Sequence, residues 1–180
     1  MRILGIDPGS HRTGWGVVEG VTGRLVCLGA GVVQARGEST AARLCSIHDG
    51  LSELLRRFAP EAVSVETVFH AKNAQSALVL GQARGVALLC AAQAGAAVFE
   101  YTAGQIKQAA TGRGRAEKEQ VQTMVRLVLG IDEALALDAS DALAAALCHA
   151  QSTITPQAAF LREVAASRRK KVRPPAGGVR

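Results

Sequence analysis

The chain is 180 residues long, 48% hydrophobic and 3% aromatic, with a formal net charge of +6; this is enough apolar material for one full core, and nothing reads as a second folding unit. No apolar run reaches the roughly 18 residues of a membrane span, because Arg84 interrupts the longest candidate, and Met1-Arg2 runs straight into a strand pattern without a secretory hydrophobic segment. Cys27, Cys45, Cys90 and Cys148 stand singly, with no CxxC pair and no zinc spacing, so small buried reduced thiols in a cytoplasmic, unprocessed protein are expected rather than a disulfide framework.

In chain order, residues 2–7 read as a strand that empties into Pro8-Gly9-Ser10. Residues 13–19 and 24–33 follow through glycine-rich turns, which predicts an antiparallel meander. A helix over 39–58 carries Leu44, Ile47, Leu51, Leu54 and Leu55 on one stripe, with Ser39 or Thr40 as cap and Pro60 as stop. The fourth strand, 62–66, ends in Glu66. A second helix, 73–94, is rich in Ala and Gly; Gly81 and Gly85, four apart, admit close approach of another backbone, which is either the sheet or a second copy of the chain. A fifth strand at 97–101 precedes helices at 102–110, 116–129 and 137–151. Phe58, Phe99 and Trp15 are assigned to the core. A meander followed by helices alternating with strands predicts an α/β domain with a mixed sheet, spanning residues 1–155. Residues 156–180 form a basic tail, expected to be disordered from about 167.

That tail changes the meaning of the net charge. Residues 168–180 hold six basic residues and no acid, and without them fifteen basic residues face fifteen acidic ones. The body is neutral, so any nucleic-acid footprint on it must be local. The tail itself is either a nonspecific phosphate contact or a solubilising segment.

Four carboxylates stand out against this background. Asp7 and Glu66 end predicted strands, while Asp138 and Asp141 are three apart at the start of the last helix and share one face. Singly, Asp7 can be a turn former, Glu66 a solvated strand tip, and Asp138 and Asp141 helix caps. Ala142 and Ala145 continue the face of the two aspartates, however, and such small residues let the helix lie close to the sheet. All four acids would then converge, and convergence without cations is strongly repulsive.

Five blocks in register carry a resemblance: Gly5-Ile-Asp7-Pro-Gly-Ser, Val65-Glu66-Thr-Val-Phe69, Ala71-Lys-Asn-Ala-Gln-Ser-Ala-Leu, Leu80-Gly-Gln-Ala-Arg-Gly-Val86 and Asp138-Ala-Ser-Asp141-Ala-Leu. Together, over about residues 1–150, they resemble the RuvC family of Holliday junction resolvases. The resemblance implies a ribonuclease H-like fold, with a five-stranded mixed sheet and helices on both faces. It also implies a homodimer that nicks two opposing strands of a four-way DNA junction with magnesium or manganese, leaving 5′-phosphate and 3′-hydroxyl ends. Partnership with the RuvA and RuvB branch-migration machinery follows from the family alone. Asp7, Glu66, Asp138 and Asp141 match the family's acidic positions without substitution. Hard oxygen donors suit magnesium; two ions about 4 Å apart would clamp the attacking and departing oxygens, with Asp7 bridging them, Glu66 on one side and Asp138 and Asp141 on the other.

Candidate DNA contacts come from local basic residues. Lys107, Arg113, Arg115 and Lys118 lie along a glycine-interrupted stretch that reads as a phosphate-tracking loop or as an ordinary solvated one offset by Glu117 and Glu119. Lys107 and Lys118 match family lysines near the cleavage site. Lys72, Arg84, His11 and Arg12 are secondary candidates. Phe69, three residues after Glu66, either stacks on an unpaired base or fills the core, and the resemblance favours stacking. Two rival readings are an actin-like ATPase fragment, which shares the strand-then-Asp-Pro-Gly-Ser pattern, and a noncatalytic junction-binding module. A covalent tyrosine recombinase is disfavoured because Tyr101, the only tyrosine, has no Arg and His cluster near it in sequence.

Overall fold

The computed structural model describes residues 1–21, 24–67 and 74–154. Ten elements follow in order: β1 (Arg2–Asp7), β2 (Arg12–Val21), β3 (Arg24–Gln34), α1 (Thr40–Phe58), β4 (Ala62–Thr67), α2 (Ala74–Gln93), β5 (Ala97–Thr102), α3 (Ala103–Thr111), α4 (Lys118–Leu129) and α5 (Leu137–Ile154). The chain divides into two units, Met1–Ala150 and Gln151–Arg180. The expected tail lies outside the described residues.

The five strands form one sheet in the order β3-β2-β1-β4-β5. The meander pairs antiparallel, while β4 and β5 run parallel to β1. Alternation along β1 sends Leu4 and Ile6 to one face, where they meet Val17, Val63 and Val65 together with α1 and α2. Ile3 goes to the other, with Val18, Ala62 and residues of α3, α4 and α5. The sheet is thus covered on both sides, as expected.

α1 is set by its own sequence: the Ser39 side chain accepts from the Ala42 amide, and Ala59 closes the helix in the left-handed conformation, ahead of Pro60. Ile47, Leu51, Leu54, Leu55 and Phe58 are buried as predicted, and Trp15 packs against Phe58 with ring centroids 5.8 Å apart. Cys90 and Cys148 are buried as expected, but Cys27 is only half-buried and Cys45, on the outward side of α1, is exposed.

α2 lies on the sheet through Ala83, Ala87, Cys90 and Ala91. Gly81 and Gly85 point the other way, with nothing within 4 Å of a Cβ built on either, so of the two sequence readings contact with the sheet is excluded. Leu78 and Leu89 continue that open face, 59% and 52% exposed. Among the described residues, α2 is the one helix long and apolar enough to cross a membrane by length and composition, although Arg84 was expected to rule such a stretch out; its other stripe is part of the core, and its Arg84 is paired with Glu100 of β5.

α5 rests on the central strands through a bed of small residues. A Cβ on Gly5 would overlap the carbonyl oxygen of Ala142, one on Gly14 would overlap that of Asp138, and one on Gly16 would lie 2.5 Å from Leu143 Cγ. Gly5 pairs with Gly16 and also with Ser64, and the buried Ser64 Oγ donates to the Ala145 carbonyl at 2.7 Å. Small residues on both surfaces bring helix backbone onto strand backbone.

Candidate active site

This close seating is what gathers the acids. Alternation puts Asp7 on the face of Ile3 and Gly5, the α5 side, and Glu66 on the face of Ala62 and Ser64, the same side. β1 and β4 run parallel with Ile6 opposite Val65, so Asp7 and Glu66 end neighbouring strands side by side. Asp7 also pairs with Gly14, directly beneath the backbone of Asp138. The first turn of α5 therefore delivers Asp138 and, one turn on, Asp141 to the strand ends.

The electrostatics register the convergence. Burial, followed by repulsion from Asp141, Glu66 and Asp138, raises the Asp7 carboxyl from 3.8 to about 7, against the lowering effect of Lys118. Glu66 is raised by burial and then by Asp141, while Lys118 and Lys107 act in the opposite sense. The Lys118 ammonium is held above its ordinary value, first by its hydrogen bond to Asp141.

Two helix starts supply these cations. β5 pairs Tyr101 with Glu66 and Thr102 with Thr67, and Thr102 then caps α3 in a reciprocal capping box with Gln105. α3 thus begins beside Glu66 and carries Lys107 to the site. α4 begins with a second capping box, Glu117 with Gln120, so Lys118 occupies its first turn. Lys118 Nζ lies 2.7 Å from Asp141 Oδ2. Asp7, Glu66, Asp141, Lys107, Lys118 and Glu117 line a cleft of about 350 Å³. Asp138 stands at its flank, where Arg12 Nε meets Asp138 Oδ2 at 2.8 Å.

Among the described residues, no three His, Cys, Asp or Glu side chains close on a common point as a metal cage would require. Asp141 and Asp138 close instead on Lys118 and Arg12. The donor set nevertheless fits a hard divalent cation: all the donors are carboxylate oxygens, and Asp7 is held partly protonated near neutrality by burial and by the other acids, a cost that a cation would relieve.

The other predicted contacts are spread more widely. Arg113 and Arg115 are exposed on the α3–α4 loop, and Arg113 borders a second depression of about 460 Å³ with Thr111, Glu119 and Gln120. Arg84 is away from the cleft in its pair with Glu100, its Nε buried without an acceptor. His11 is exposed beside Arg12. Phe69, His70 and Lys72 fall outside the described residues.

Sequence reasoning missed the bed that seats α5. Gly5 of β1 and the alternating Gly14 and Gly16 of β2 were the available signal, but their meaning needs the register. It also missed that Tyr101 has a histidine partner: Tyr101 Oη and His149 Nδ1 share a hydrogen bond of 2.7 Å, and Phe99 stacks on His149 with centroids 4.0 Å apart. His149 is almost fully buried. The pair ties β5 to α5.

Residues 3–149 match the family model described as crossover junction endodeoxyribonuclease RuvC. The Geobacter sulfurreducens protein of that name is 51% identical over 155 residues, covering 86% of this chain and 94% of the relative. Among solved structures, Thermus thermophilus RuvC in complex with a Holliday junction substrate superposes with a TM-score of 0.78 at 40% identity, covering 83% of this chain and 93% of that one. The yeast mitochondrial Holliday junction resolvase shares the fold at 12% identity, with a TM-score of 0.60 over 90% of this chain and 85% of that one.

Proposed function

The chain belongs to the RuvC family of crossover junction endodeoxyribonucleases, with their ribonuclease H-like fold, and we propose that it resolves four-way DNA junctions by divalent-metal-dependent nicking of two opposing strands. The observation that carries this reading is the convergence of Asp7, Glu66 and Asp141 in one cleft with Lys107 and Lys118.

A phosphate entering an acidic cleft is repelled unless positive charge accompanies it. Lys107 and Lys118 meet it from α3 and α4. Asp7, Glu66, Asp138 and Asp141 would hold the cation, with Asp7 at the centre because Asp141, Glu66 and Asp138 all act on it. When bound, magnesium or manganese, as one ion or a pair, supplies activation of water and neutralisation of the departing 3′-oxygen in an in-line displacement at phosphorus. The products are a 5′-phosphate and a 3′-hydroxyl. Asp7 has to lose its proton to serve, so cation uptake rises as pH passes through about 7.

Paired symmetric nicks require two active sites, and the open face of α2, with Leu78, Gly81, Gly85 and Leu89, supports a homodimer. Action in the cytoplasm on junctions held by RuvA and RuvB completes the reading, as does a nuclease domain over 1–155 followed by a basic tail that adds phosphate affinity. Phe69, Lys72, Arg84, Arg113 and Arg115 are further DNA contacts on this reading. The test is nicking of a synthetic four-way junction with magnesium, followed by ligation. Ligatable paired nicks that vanish with chelator or with Asp7→Asn, while that variant still binds the junction, are expected. Binding without nicking by the intact protein would favour a noncatalytic module, and nicking that survives chelation would refute the metal assignment.

A further inference from the structure

Arg12 is the charged group at the site that the cleft does not account for. It opens β2 on the same face as Gly14 and Gly16, the face that receives α5. The turn ahead of it is braced where the buried Thr13 hydroxyl donates to the Gly9 carbonyl at 3.1 Å. Gly14, two residues on, lies against the backbone of Asp138. Arg12 and Asp138 are therefore anchored independently, one by the turn and one by the glycine bed, and the 2.8 Å contact between Nε and Oδ2 is where they meet.

The two α5 aspartates are thus treated alike: Lys118 from α4 pairs with Asp141 inside the cleft, and Arg12 from β2 pairs with Asp138 at its flank. Lys118 has a further use there, because it faces the entering phosphate. Arg12 does not line the cleft. We propose that Arg12 is an internal counter-cation, which holds Asp138 in the metal-free protein and yields it when a divalent ion engages, and so sets the metal affinity of the site. This rests on the reading of the four acids as metal ligands. A guanidinium and a metal ion compete for the same carboxylate oxygen, and the exposure of the pair decides which prevails. With side chains 52% and 30% exposed, the ion pair is solvent-screened and weak, so it orders Asp138 without excluding the cation.

The test is manganese binding to the full-length protein without DNA, read as loss of the free-ion electron paramagnetic resonance signal. Arg12→Gln is expected to bind manganese about two- to fivefold more tightly than wild type, the gain from removing a competing exposed ion pair, while Arg12→Lys, which keeps the charge, stays near wild type. In an Asp138→Asn background, Arg12→Gln is expected to add nothing. Unchanged or weaker binding by Arg12→Gln would overturn the proposal. So would an equal gain in the Asp138→Asn background, which would make Arg12 a distant charge rather than the partner of Asp138. The underlying metal reading fails separately, if wild type takes up no manganese or Asp7→Asn binds it equally well; only when both controls behave do the Arg12 arms decide.

Discussion

Replacing Asp7 by Asn should stabilise the metal-free protein, and by an amount that depends on pH in a defined sense. In the unfolded chain the Asp7 carboxyl ionises near 3.8, while in the folded protein burial and the other acids delay ionisation to about 7. Between those values the folded state keeps a proton that the unfolded state has released. Raising the pH through this window therefore removes stability, and above about 7 the loss is complete. At about 1.4 kcal/mol per pH unit, the displacement from 3.8 to about 7 sets a ceiling of roughly 4 kcal/mol. Water in the cleft and side-chain relaxation reduce it, so about 2 kcal/mol is expected, or roughly 4–8 °C in Tm for a chain of this size. Asn is neutral throughout and should escape the loss. The assay is thermal unfolding of both proteins in chelator from pH 3.5 to pH 8.5. The curves should nearly meet at the acid end, separate up to about pH 7 and then run parallel. Magnesium should raise the wild type selectively and close the gap. Equal Tm values at every pH, or a wild type that gains stability relative to Asp7→Asn on going alkaline, would refute the account of Asp7.

Three further outcomes follow from the geometry. Gly14→Ala places a methyl against the Asp138 carbonyl and should cost about 1–3 kcal/mol by overpacking, with nicking reduced beyond what the melting temperature explains, because α5 must lift away from Asp7. Lys118→Met should lower nicking by about 10²-fold as a charge at the phosphate is lost, and should move the pH–rate profile to higher pH, since Lys118 normally lowers the Asp7 value; an unmoved profile would contradict the shared field. Leu89→Glu, on the open face of α2, should leave the fold intact and yield monomers by sedimentation, with paired nicks giving way to uncoordinated single nicks.

Much of this architecture was legible before any coordinates. The leucine stripe of α1, its Ser39 cap, and the strand ends at Asp7 and Glu66 follow from local periodicity and turn chemistry, and the observed boundaries differ by a few residues at most. The largest extension is three residues at the end of α5, and β2 runs two residues past its expected end, where ladder pairing with β3 carries it beyond the apolar pattern. The contrast between Gly81 and Gly14 shows where local reading stops. Both are glycines in regular elements, and both could have marked a close approach. Gly81 faces open space and Gly14 touches α5, and nothing within a few residues of either distinguishes them.

By itself, then, the sequence determined which elements form and that the four acids stand at their ends, because helix period, strand alternation and capping act over a few residues; the family resemblance was carried by five motif blocks in register. Only the tertiary structure decided that Asp7 and Glu66 lie side by side, that α5 sinks onto Gly5, Gly14 and Gly16, and that Arg12 and Lys118 take Asp138 and Asp141. These are matters of strand register and helix depth. They join residues distant in the chain, in the case of Arg12 and Asp138 more than a hundred positions apart, and the elevated pKa of Asp7 arises from the sum of those approaches rather than from any neighbour in the chain.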